Sequence, residues 1–365
     1  MHTSDVDSKK HTCYIGQAKQ CKQKALACCI NLKGIFMKRI ILLATGGTIA
    51  SQKSEAEGPL VPEYRAAELL DFIPQIKDIC VPSAKDIMFM DSSNIQPEHW
   101  QEIAQEIFSA LSEYDGVVVT HGTDTLAYTS SMMSFMLKGL NKPVIFTGAQ
   151  KPINDLMSDG RRNLEAAFAA AVYGTPGVYV LFDNQIINGA RATKLRSMGF
   201  NAFASINAPL SGTVDSRGII IEYPQPQSGE FGLSEKLCPD VFLFKLMPGT
   251  KPEIVDYIVS MGYRGVIVEA FGVGGMHFLH RNLIEKLELL CDRGITVLII
   301  SQCTYDSVDL SVYESGTKLP EYVISGRDMT TEAAVTKMMW ALGQSDDPIE
   351  VAEILKTPVC GEFGI

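Results

Sequence analysis

The stretch RIILLATGGTIAS, residues 39–51, decides how the chain is read. Arg39–Thr45 is apolar and does not alternate, the pattern of a strand buried on both faces of a parallel sheet. The run stops at Gly46-Gly47, and Thr48 follows. Glycine has no Cβ and tolerates positive φ, so backbone leaving the strand can pass close to something else. Two uses share that property. The turn can cradle a phosphate, or it can hold the Thr48 hydroxyl out as a nucleophile.

The same grammar recurs along the chain. Gly116–His121, Pro143–Gly148, Val178–Phe182, Val241–Leu246, Val266–Ala270 and Thr296–Ser301 are Val- and Ile-rich runs of strand length. Between strands, 97–114 carries Trp100, Ile103, Ile107 and Leu111 at helical spacing, with Pro97 placed where a missing N–H costs little. Residues 159–173 repeat the pattern through Leu164, Phe168 and Val172. Alternation of strand and helix predicts an α/β fold. The expected layout is a larger N-terminal doubly wound domain, catalytic, over 37–222, and a smaller C-terminal α/β domain over 240–365. YPQPQSGEFGLSEKLCP, 223–239, breaks both periods with three prolines and two glycines and is the expected linker.

Composition narrows the class. With 365 residues, 46% apolar and 20% charged, the chain reads as soluble and globular. A net charge of −10 argues against nucleic acid as the main partner. No apolar run reaches the roughly 20 residues that span a bilayer. Residues 1–36 differ, with six lysines against two acids and four of the nine cysteines. They have neither a secretory apolar region nor paired metal-ligand spacing, so they read as a disordered extension or an upstream-start artefact before Met37. The remaining thiols, Cys80, Cys238, Cys291, Cys303 and Cys360, are scattered singly, the usage of a reduced, cytoplasmic protein. No metal site is legible.

A second stretch, GVVVTHGTDTLAYTS at 116–130, bears on the opening question. Strand ends on the carboxyl side of a parallel sheet face a common crevice. Thr48 and Thr123 can therefore converge, and Asp124 follows Thr123. NGARATKLRSMGF, 188–200, adds Lys194. Phosphate loops favour G-x-G-x-x-G or G-x-x-x-x-G-K-[ST], and neither occurs here. A threonine hydroxyl needs a base to accept its proton, and an amine oriented by a carboxylate can serve. Taken singly, Thr48 and Asp124 are ordinary helix caps and Lys194 a solvated charge. Together and in order, they read as a relay.

These motifs carry a resemblance. TGGTIAS (45–51) and HGTDTL (121–126) are similar to the two signature motifs of bacterial-type L-asparaginases. MDSSNIQPEHW (90–100), AYTSSMMSFML (127–137) and RATKLRSMGFNAF (191–203) also resemble that family, particularly its cytoplasmic type I branch and archaeal relatives. The likeness runs from about Met37 to Glu362. It implies hydrolysis of the L-asparagine side-chain amide to L-aspartate and ammonia, through a threonine nucleophile and without a cofactor. Thr48 corresponds to the attacking threonine of a flexible lid, and Thr123, Asp124 and Lys194 to the second triad. Either threonine remains open as the first to attack. Ser92 aligns with the residue holding the α-carboxylate, Ser93 with its neighbour, Asp124 also with the contact to the α-ammonium, and Ala149 with a backbone carbonyl contact to the amide. The family further implies a homodimer or homotetramer.

Two departures and two rivals accompany it. The family's lid tyrosine is missing from its usual context, here E57-G58-P59-L60, and the nearest replacement is Tyr64. Where some relatives carry an effector-binding arginine, VEAFGVG places Glu269, which would repel a carboxylate. The rival functions are the asparaginase-like subunit of a glutamyl-tRNA amidotransferase, which resembles this core preceded by a small β domain, and a catalytically silent binding module. His121 is expected to shape its turn, and Cys303 to be a buried thiol.

Overall fold

The computed structural model describes residues 37–52, 61–320 and 322–364. The expectation for residues 1–36 and the centre of the lid, 53–60, lie outside the described residues. The strands of the N-terminal part include β1 (Arg39–Gly46), β2 (Val81–Met90), β3 (Gly116–Thr120), β4 (Pro143–Thr147), β5 (Gly177–Phe182), β6 (Gln185–Asn188), β7 (Ala192–Lys194), β8 (Phe203–Ser205), β9 (Gly212–Asp215) and β10 (Gly218–Ile221). Eight of them form one sheet in the order β10-β9-β6-β5-β4-β3-β1-β2. From β2 to β5 the pairs are parallel, whereas β5–β6, β6–β9 and β9–β10 are antiparallel. The sheet is thus mixed, with an antiparallel wing that the apolar runs did not announce.

Period-2 geometry explains why the inner strands β1, β3, β4 and β5 are apolar almost throughout. Successive side chains point to opposite faces. Ile41, Leu43, Val117, Val119, Val144 and Phe146 pack on one face against Trp100, Ile103 and Ile107 of α1 (Pro97–Glu113) and Phe135 of α2 (Leu126–Met136). Ile40, Leu42, Val118 and Ile145 pack on the other, against Leu164 and Phe168 of α3 (Gly160–Tyr173). Helices cover both faces, as a doubly wound sheet requires. Asp159 stays outside α3 because its carboxylate accepts the backbone N–H groups of Gln150 and Lys151, 3.1–3.2 Å away.

The C-terminal part holds a four-stranded parallel sheet, β11 (Val241–Lys245), β12 (Gly265–Ala270), β13 (Thr296–Ser301) and β14 (Ile324–Ser325), in that order. Val266, Val268, Val297 and Ile299 pack on one side with Leu287 and Leu290, and Ile267, Leu298 and Ile300 on the other with Met338 of α4 (Thr331–Gln344). The fold is two-domain α/β.

The proline-rich segment between the sheets is pinned to the first domain. Buried Gln225 accepts the Val178 N–H at 2.8 Å and donates to Asn188 Oδ1 at 2.8 Å. Gly232–Leu233 pairs antiparallel with Leu137–Lys138. Among the described residues no helix is long and apolar enough to cross a membrane.

Candidate active site

The carboxyl ends of β1, β2 and β3 meet, and glycines make that possible. Gly46 and Gly47 have φ of 102° and 78°, which L side chains rarely adopt. A Cβ on Gly46 would fall 2.7 Å from the Met90 backbone, and one on Gly122 would fall 2.6 Å from Ser92 Oγ. Glycine therefore brings three strand ends into contact, and no phosphate is needed to explain it. The Thr45 hydroxyl donates to the Thr120 carbonyl at 3.0 Å, and the Gly47 N–H to the Met90 carbonyl at 3.1 Å.

Gly47, Thr48, Ser51, Asp91, Ser92, Gly122, Thr123 and Asp124 line a polar cavity of about 110 Å³. Thr48 opens the short 3₁₀ turn Thr48–Ala50, whose cap position is Gly47 and makes no side-chain cap. The Thr48 hydroxyl thus does no capping work and has no hydrogen bond among the described residues. Asp124 likewise is not the cap of α2, a place held by Thr125. Its N–H donates to Ser92 Oγ at 3.2 Å, while Thr125 Oγ1 donates to the Ser92 carbonyl at 2.7 Å.

Lys194 ends β7, an arm outside the main sheet that pairs only with β8. Its amine lies 2.7 Å from both Thr123 Oγ1 and Asp124 Oδ1. The lysine side chain is 17% exposed against 62% for Asp124, so the contact runs from the protein interior toward an open mouth. Thr123 Oγ1 also lies 3.4 Å from Gln150 Oε1, and Gln150 Nε2 donates to the Gly199 carbonyl at 3.0 Å.

The family models described as "Asparaginase, N-terminal" and "Glutaminase/Asparaginase C-terminal domain" match residues 39–227 and 240–355. An L-asparaginase of Thermococcus kodakarensis is 40% identical over 332 residues, 89% of this chain and 99% of that protein. The chain belongs to the asparaginase family. As such it is an amidohydrolase. The solved thermostable L-asparaginase of the same organism superposes with a TM-score of 0.82 at 39% identity, covering 89% of this chain and 99% of that one. L-asparaginase 1 of Escherichia coli K12 is 34% identical, with 89% and 98% covered. One subunit of the glutamyl-tRNA(Gln) amidotransferase of Methanopyrus kandleri is also 34% identical, with 90% of this chain but 75% of that protein covered.

Within this asparaginase-family site, Thr48, Thr123, Asp124, Lys194 and Ser92 come together. Ser93 is not a lining residue of the cavity; its N–H and hydroxyl donate to Asp91 Oδ1 at 2.9 and 2.6 Å. Ala149 is buried and is not a lining residue of the cavity. Tyr64 packs its ring edge-on against Phe72, centroids 5.3 Å apart, and is not a cavity residue.

Asp91 went unread in the sequence, although MDSSN contains it. The Ser93 side chain and then its backbone N–H hold the Asp91 carboxyl below the ordinary carboxylate range, and the Lys194 charge adds a little in the same direction. A fixed anion therefore sits in the cavity wall beside Asp124. Cys303 is exposed rather than buried, so its expected place is corrected. It follows the end of β13, where the apolar run has given way to surface loop.

His121 has the turn-shaping role its place suggested. It is fully buried, and burial pushes it down to about 4. Its Nδ1 lies 2.7 Å from the Gly122 carbonyl, which can only accept, so Nδ1 carries the proton. The neutral Nε2 then accepts the Thr129 hydroxyl at 3.0 Å, and Thr129 Oγ1 accepts the Trp100 indole N–H at 3.0 Å. This chain of bonds fixes the turn that carries Thr123 and Asp124.

Proposed function

We propose that the protein hydrolyses the side-chain amide of L-asparagine, with Thr48 as nucleophile and Thr123, Lys194 and Asp124 as its proton relay. The observation that carries the reading is the Lys194 amine 2.7 Å from both the Thr123 hydroxyl and the Asp124 carboxylate, beside a cavity lined by Thr48.

The chemistry follows from those groups. The α-ammonium of asparagine meets the Asp91 and Asp124 carboxylates, and its α-carboxylate meets the Ser92 hydroxyl and the N–H groups near Gly122. For the relay to accept a proton the Lys194 ammonium must first give one up; it then keeps N–H groups for Asp124 and turns its lone pair to the Thr123 hydroxyl. Thr48 Oγ attacks the amide carbon, and its proton passes to the relay. That proton returns to the leaving nitrogen, and ammonia departs as the C–N bond breaks. Water then cleaves the β-aspartyl ester, giving L-aspartate and restoring Thr48.

Scattered unpaired thiols among the described residues support a cytoplasmic location. A homodimer or homotetramer is the assembly proposed, in keeping with the family. The acidic balance, net −10, favours free asparagine over an aminoacylated tRNA.

Ammonia release from free L-asparagine by the purified chain is the test. Release at an enzymatic rate is expected. Absence of release, followed by activity on misacylated tRNA, would transfer the reading to the amidotransferase subunit. Absence of both would make the protein a silent module.

A further inference from the structure

Lys194 sits on an arm with little support of its own. β7 and β8 are three residues each and pair as an isolated ribbon: Ala192 with Ser205, Thr193 with Ala204, Lys194 with Phe203. Two short strands alone are marginal in water. The direction of the Lys194 side chain must therefore be held from elsewhere.

The second domain grips this arm twice. Arg191, just before β7, is 3% exposed, and its guanidinium donates to Asp328 Oδ2 at 2.9 Å, the Asp328 carbonyl at 3.1 Å and the Gly361 carbonyl at 2.7 Å. Two residues on, the Thr193 hydroxyl donates to Glu332 Oε2 at 3.0 Å. Glu332 is 9% exposed and stands in the first turn of α4, whose start is fixed by the Thr330 cap on the Ala333 N–H at 3.0 Å.

Neighbouring side chains on a strand point to opposite sides. Holding Thr193 toward the second domain thus turns Lys194 toward Thr123 and Asp124. We propose that Glu332 is a positioning residue of the reaction: through Thr193 it sets the direction in which the second domain presents the Lys194 amine to the relay. This rests on the relay reading of Lys194 given above. Glu332 touches neither substrate nor reacting atoms.

The test is steady-state ammonia release from L-asparagine by the full chain, with melting temperature recorded for each variant. Glu332→Ala is expected to lower kcat at least tenfold while KM changes by less than threefold, because the substrate-facing groups Asp91 and Ser92 are untouched. Glu332→Gln keeps an acceptor for Thr193 and is expected to restore most of kcat, a recovery that a role of the Glu332 charge alone would not give. Thr193→Val, nearly the same size, is expected to match Glu332→Ala and serves alone if that variant does not fold. The double variant is expected to be no slower than either single one.

Parental kcat in Glu332→Ala or Thr193→Val overturns the inference, as does an equal loss in Glu332→Ala and Glu332→Gln, or additive losses in the double variant. Lys194→Met is measured in parallel. Full turnover there would sink the relay reading and this inference with it. An inactive Lys194→Met beside parental kcat in Glu332→Ala would sink only the positioning role.

Discussion

A Cβ added at Gly47 would fall 2.5 Å from the Gly122 Cα, so the two threonine-bearing turns touch backbone to backbone. This contact is what sets Thr48 and Thr123 around one cavity although their strands are far apart in sequence. Gly47→Ala must therefore push the turns apart and also hold an L side chain at φ 78°. The expected result is about 2–4 kcal/mol of lost stability and a fall in kcat of at least about a hundredfold. Chemical denaturation with an ammonia assay checks both.

His121 makes acid sensitivity specific. Its folded value of about 4 lies below the unfolded 6.5, so between them the unfolded chain takes up a proton that the folded chain refuses. The contribution is complete above about 6.5 and is lost as pH falls toward about 4, up to roughly 3 kcal/mol. Denaturant midpoints measured from pH 7 down to 4 are expected to fall in the parent and to fall less steeply in His121→Gln. Parallel curves would contradict this.

Asp91 forms part of the cavity wall and keeps its charge through hydrogen bonds from Ser93. Asp91→Asn keeps the shape and removes the anion opposite an incoming ammonium. KM for asparagine is expected to rise about tenfold, with a smaller change in kcat. An unchanged KM would remove Asp91 from substrate binding.

Tyr64 supplies a ring, packed edge-on against Phe72. Tyr64→Phe retains that contact and deletes the hydroxyl. The expected kcat is within about twofold of the parent. A tenfold fall at unchanged stability would return the lid role to this tyrosine.

What the sequence revealed and what it hid have physical causes. β1, β3 and β12 are buried on both faces, so their apolar runs are unbroken and legible. β2 was hidden because it is a half-exposed edge strand carrying Pro82, Lys85 and Asp86 among its apolar residues. The antiparallel strands β6, β9 and β10 are four residues each, too short for a period to show. Thr48, Thr123, Asp124 and Lys194 were readable because strand ends of a parallel sheet share one side. The Trp100–Thr129–His121 chain joins residues on two helices and a turn, and the Thr193–Glu332 contact joins two domains 139 positions apart, so neither leaves a local pattern.

The central claim is that the Thr48 hydroxyl performs the attack. It is tested most directly by measuring ammonia release from L-asparagine with Thr48→Ala protein whose circular dichroism and melting temperature match the parent. The account predicts a fall in kcat of at least about a thousandfold, because in it the Thr48 hydroxyl alone forms the bond to the amide carbon. Turnover near that of the parent would contradict it.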